Sequence, residues 1–129
     1  MRVLCTGGAG FLGAWLAKRL LAGGHAVRVF DRRDDRRLMG DIVGAQAAAI
    51  EWRTGDVAQP AEVMAASEGC DAIAHLAALL TPACRADPIT GTNVNLIGTI
   101  NVFEAARQRK MRNVVYASSA GVFGPNDGV

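Results

Sequence analysis

Three glycines spaced three apart, Gly7, Gly10 and Gly13, sit between a short apolar run, Val3-Leu4-Cys5, and a helical pattern that starts at Phe11. Strand, tight turn and helix N-terminus in that order make a cradle for an anion. The unpaired N–H groups of the first helical turn and the positive end of the helix dipole both point at it. Each glycine answers a different demand. One allows the sharp turn, one lets the backbone approach phosphate oxygens, and one lets the helix pack closely on the strand. The chemistry this predicts is the binding of a dinucleotide pyrophosphate.

Further candidates stand at the ends of later apolar runs. Asp31 ends the run Ala26 to Phe30, eighteen residues after Gly13. That is close to the spacing of about 20 at which a carboxylate meets the adenosine ribose. It would accept from both ribose hydroxyls and repel a 2′-phosphate, which favours NAD over NADP. Arg32, Arg33, Arg36 and Arg37 are cations able to neutralise such a phosphate. We read most of that run as a solvated loop of mixed charge, with Arg32 the exception, placed to lie over the adenine. Gly55-Asp56-Val57 follows the third run, so Asp56 can accept from the adenine amino group while Val57 packs on the ring. His75-Leu76-Ala77-Ala78 closes the fourth. Small residues there let a cofactor lie against backbone, so Leu76, Ala77 and Ala78 are expected along the pyrophosphate and nicotinamide-ribose path. His75 reads as a satisfied packing residue rather than a base. Asn95 is expected near the cofactor, Asn93 as a helix N-cap, and Asn101 facing either sheet or solvent. Ser118-Ser119 ends the fifth run, where a hydroxyl would point into the cleft above the nicotinamide.

The elements that must position these residues alternate. Strands are expected at Val3 to Cys5, Ala26 to Phe30, Ala49 to Arg53, Asp71 to Leu76 and Asn113 to Ala117. Helices are expected at Phe11 to Ala22, within residues 32–48, from Pro60 to Ser67 or Glu68, and from Ile89 or Asn93 to Lys110. This alternation argues for βαβ units and a parallel sheet. The expected fold is α/β: a Rossmann-type, doubly wound, five-stranded parallel sheet of order 3-2-1-4-5 in three αβα layers. It forms one domain over residues 1–129.

Bulk properties exclude other classes. A net charge of +2 gives no argument for nucleic acid or a membrane surface. No apolar stretch approaches the roughly 18 residues of a membrane span, and Val3 to Cys5 is too short for a signal peptide. Cys5, Cys70 and Cys84 are odd in number and lack metal-ligand spacing, so no metal site and a reducing, cytoplasmic setting are expected.

Together these segments resemble the extended short-chain dehydrogenase/reductase superfamily, in particular the NAD-dependent epimerase/dehydratase family. The segments are Thr6 to Gly13, Asp31, Gly55-Asp56-Val57, His75 to Ala78, Asn93 to Asn101 and Ser118 to Gly124. The resemblance implies NAD as cofactor, backbone contacts to it from Phe11 and Leu12, a contact from Asn95, and Ser119 as the catalytic serine. It implies hydride transfer on a small-molecule substrate, commonly a nucleotide-activated sugar, with no nucleic-acid or membrane partner. The family's base, the Tyr of a Tyr-x-x-x-Lys pair, has no counterpart here. The one tyrosine, Tyr116, lies in a strand with no Lys four positions on. We therefore expect a cofactor-binding piece that ends before that helix and is inactive alone, with Ile97, Ile100 and Phe103 partly uncovered and able to drive self-association. The alternative is a non-catalytic dinucleotide-sensing protein on the same fold.

Overall fold

The computed structural model describes residues 1–124. Residues 125–129 of the expected domain, and the Phe123 side chain, lie outside the described residues. β1 (Arg2–Thr6) is the central strand, and Leu4, Cys5 and Thr6 expose no surface. A strand flanked on both sides and covered on both faces needs a continuous apolar run, which is what residues 3–5 supply. β2 (Ala26–Asp31), β3 (Glu51–Thr54), β4 (Ala72–His75) and β5 (Asn113–Tyr116) pair with it in parallel, in the order β3-β2-β1-β4-β5. Chain direction along the sheet reverses at β1, which opens a crevice at the carboxyl ends of the strands.

Alternate side chains along the strands sort into two cores. Val3, Cys5, Val27 and Val29 pack against α1 (Phe11–Ala22) and α2 (Arg37–Val43). Leu4, Phe30 and Ile73 pack against α3 (Pro60–Ala66) and α6 (Gly98–Gln108). Helix, sheet and helix make the three expected layers.

Arg28, on β2, is buried although charged. Its Nη1 donates to the carbonyls of Ala66 at 2.7 Å and Glu68 at 2.5 Å, and its Nε lies 2.8 Å from Glu51 Oε2, off the line of a good hydrogen bond. Arg109 adds a bond from Nη2 to the Met64 carbonyl at 2.8 Å. Two guanidinium groups thus satisfy the last carbonyls of α3 and oppose the negative end of its dipole.

Several boundaries differ from expectation. Residues 44–49 form a 3-10 helix, so β3 starts at Glu51 rather than Ala49. Alanines there favour helical over extended backbone. α4 (Thr81–Ala86) was not expected; Pro82 in its first turn is the signal for it. The following helix starts at α5 (Pro88–Thr92), capped by the Asp87 carboxylate, which accepts the Thr90 N–H at 3.0 Å. Asn93 is therefore not an N-cap: its backbone is already helical, and it opens a π-helical turn, Asn93–Ile97, that joins α5 to α6. α6 ends at Gln108, short of Lys110, whose φ of +56° is incompatible with helix. Ile97, Ile100 and Phe103 are exposed, as expected. Among the described residues, no helix is long and apolar enough to cross a membrane, and no three His, Cys, Asp or Glu side chains are grouped to hold a metal.

Candidate functional site

Gly7 and Gly10 in the loop between β1 and α1, and Gly13 in the first turn of α1, lack a side chain for separate reasons. Gly7 has φ +67°, and an added Cβ would lie 2.6 Å from the Ala77 nitrogen, against the end of β4. Gly13 packs α1 onto the loop, where a Cβ would meet the Gly8 carbonyl oxygen at 2.5 Å. Gly10 is different: its backbone is extended, and a Cβ would meet only the Gly7 carbonyl, at 3.4 Å. No packing demand explains Gly10, but it lines the cleft, so the bare backbone there faces ligand space. No side chain caps α1, and no acid sits in its first turn. The helical ladder starts with the Ala14 N–H on the Gly10 carbonyl at 3.0 Å. The N–H groups of Phe11, Leu12 and Gly13 precede it, while the Phe11 and Leu12 side chains point out to solvent. These groups fit a pyrophosphate.

Asp31 stands at the end of β2, beside that loop. Its Oδ2 accepts the Ala9 N–H and its Oδ1 the Arg33 N–H, both at 3.1 Å. A carboxylate offers about four lone-pair sites, so the two not used here remain for ribose hydroxyls. Arg32 reaches across to Asp56, with 3.7 Å between Nε and Oδ2. Asp56 also takes the Ala58 N–H at 2.9 Å, and Glu62 holds the Asp56 N–H at 2.7 Å. Arg36 pairs with Asp34 and Arg37 with Asp35, the solvated pattern expected of that run. Arg33 departs from it, because it lines the cleft.

The opposite wall is Leu76-Ala77-Ala78-Leu79, running out from β4. Asn95 does not reach the cleft with its amide. Its Oδ1 accepts the Leu79 N–H at 2.8 Å and its Nδ2 donates to the Leu79 carbonyl at 2.9 Å, so the side chain clasps the wall from behind. Asn101 faces inward and does the same for Val57, donating to its carbonyl at 2.9 Å. His75 is buried between two hydroxyls, with Thr6 Oγ1 2.6 Å from Nδ1 and Thr99 Oγ1 3.0 Å from Nε2. Burial pushes its pKa below 6.5. Every polar atom of the ring is satisfied, consistent with a packing residue rather than a base.

Between these walls lies a cleft of about 520 Å³ at the carboxyl edge of the sheet. It brings together Gly7, Gly10, Asp31, Arg32, Val57, Leu76, Ala77 and Ala78 from four separate segments. Gly55 and Val94, from the Gly55-Asp56-Val57 and Asn93 to Asn101 segments, also line it, as do Phe30 and Leu79, which carried no signal beyond their place in apolar runs. Asp56 and Asn95 stand just behind the lining. Ser119 lies past β5, exposed, with its Oγ accepting the Gly121 N–H at 3.1 Å. That leaves its hydroxyl proton to donate elsewhere.

Known proteins of similar sequence and fold fall in one family. The sequence model of the "NAD dependent epimerase/dehydratase family" matches residues 3–129. The chain is 40% identical over 127 residues to 3 beta-hydroxysteroid dehydrogenase type 7 of Rattus norvegicus, covering 95% of this chain and 37% of that protein. It superposes on a UDP-glucose 4-epimerase of Thermus thermophilus in complex with NAD with a TM-score of 0.78 and 32% identity, over 92% of this chain and 38% of the other. A UDP-glucose-4-epimerase of Stenotrophomonas maltophila with bound NAD and formylated UDP-arabinopyranose gives 0.84 and 29%, over 98% and 39%. The chain thus spans well under half the length of these relatives. Its five-stranded parallel sheet, its glycine loop and the match along nearly the whole sequence lead to one assignment: the chain belongs to the NAD-dependent epimerase/dehydratase family.

Proposed function

We propose that this chain is the NAD-binding part of an epimerase/dehydratase-like oxidoreductase that acts on a small molecule, with nucleotide-activated sugars the favoured class. The observation that carries this reading is the cleft itself, in which the bare backbone of Gly10 and the Asp31 carboxylate face one space. The N–H groups of Phe11, Leu12 and Gly13 receive the pyrophosphate. Asp31 accepts from the ribose hydroxyls. Arg32 covers the adenine, with Asp56 at the amino group and Val57 against the ring. Leu76, Ala77 and Ala78 line the path to the nicotinamide, and Asn95 holds that wall in place through Leu79. When bound, the nicotinamide supplies a reversible hydride acceptor. Ser119 donates its hydroxyl proton to a substrate oxygen. With Tyr116 as its one tyrosine and no lysine four residues on, the chain carries no phenol–lysine base, so it binds dinucleotide without turning substrate over. Its cysteines, free in the structure, suit a cytoplasmic setting.

Asp31 makes the reading testable. Isothermal titration is expected to give a Kd for NAD at least tenfold tighter than for NADP, with Asp31→Ala narrowing the gap by weakening NAD. NADP binding wild type and Asp31→Ala equally, and more tightly than NAD, would overturn the NAD assignment.

A further inference from the structure

A line of hydrogen bonds runs beneath the cleft, and its proton positions follow from chemistry. Thr99 Oγ1 lies 2.7 Å from the Asn95 carbonyl, which can only accept, so the hydroxyl proton points there. At 3.0 Å from His75 Nε2, Thr99 must then accept, which places the ring proton on Nε2. Nδ1 is left as an acceptor, and the Thr6 hydroxyl donates to it across 2.6 Å. A lone pair of Thr6 Oγ1 faces the Ala77 N–H at 3.4 Å. One end of the line thus holds Ala77. The other holds the helix turn whose Asn95 side chain clasps both main-chain groups of Leu79. Ala77 and Leu79 are both cleft wall.

We infer that His75 is a positioning residue for dinucleotide binding: kept neutral between Thr6 and Thr99, it fixes the Ala77–Leu79 wall, and protonation at Nδ1 releases that wall and weakens binding. This rests on the dinucleotide reading above. A proton on Nδ1 would displace the Thr6 hydroxyl proton, which has no second acceptor among the contacts of that group. The groups around the ring are Thr6, its register partner on β1, Tyr116, its register partner on β5, and Thr99 on α6. Tyr116 stacks edge-on against Phe103. Burial disfavours the charged ring and lowers its pKa from the usual 6.5.

The test is the Kd for NAD from pH 8 to pH 5 in wild type, Thr99→Val and Thr99→Ser, with ¹⁵N NMR of the His75 ring. Wild type is expected to show the Nε2–H tautomer at pH 7 and to lose affinity over the pH range in which the His75 ¹⁵N signals report protonation at Nδ1; affinity that stays constant while those signals report protonation would overturn the role. At pH 7, Thr99→Val is expected to bind about three- to tenfold more weakly, the range one hydrogen bond spans, and Thr99→Ser to recover wild-type affinity. Equal NAD affinity in wild type and Thr99→Val at every pH, or an Nδ1–H tautomer, would overturn the role of His75 while leaving the dinucleotide reading intact. No NAD binding by wild type at any pH would overturn that reading and this inference with it.

Discussion

At Gly7 two separate constraints meet, a φ of +67° and a neighbouring backbone too close for a Cβ. Gly7→Ala must strain the loop or push it off Ala77, and it is expected to lower stability by about 1–3 kcal/mol in chemical denaturation. The single-residue readings that meet at one cleft rest on such local demands: glycine spacing, an acid at a strand end, small residues after a strand. Asn95 was harder to read. It lies inside a π-helical turn, a departure from regular helix that the sequence pattern does not display, and there its amide bonds Leu79 rather than facing the cleft. Arg33 was read as solvated because charge alternation looks the same in a loop that borders a ligand space and in one that does not.

Elements owe their positions to contacts that no local pattern displays. The C-terminus of α3 is held by Arg28, a charged residue inside what reads as an apolar strand, and by Arg109 from beyond α6. Glu51, on the edge strand, faces the same guanidinium. Its pKa is lowered from the usual value near 4.5, first by the Arg28 guanidinium beside it. A carboxyl whose folded pKa is depressed stabilises the fold above its unfolded pKa, and that contribution is lost as pH falls through the folded value. Arg28→Leu leaves buried carbonyls unpaired and is expected to cost about 2–4 kcal/mol near pH 7. The deficit relative to wild type should shrink below pH 4.5, as measured by urea unfolding across pH. An unchanged difference from pH 7 to pH 3 would contradict the Arg28–Glu51 coupling. Strands and long helices were legible because apolar runs and caps are local. α4 was not, since six residues carry too little periodicity to separate helix from loop.

For the molecule as a whole, the alternation of elements signals a parallel sheet, and the order β3-β2-β1-β4-β5 is that of the Rossmann-type fold the glycine loop points to. The cleft follows from that winding, since Gly7, Asp31, Val57 and Ala77 come from distant stretches that meet only at the carboxyl edge of the sheet. Gly10 probes the central claim most directly, because it lines the cleft and a Cβ there would meet no atom closer than 3.4 Å. The measurement is calorimetric titration of NAD into wild type and Gly10→Val, with thermal unfolding of both. The account predicts that wild type binds NAD and that Gly10→Val binds at least tenfold more weakly, with a Tm within a few degrees of wild type. Equal binding by the two proteins, or no binding by wild type, would contradict it.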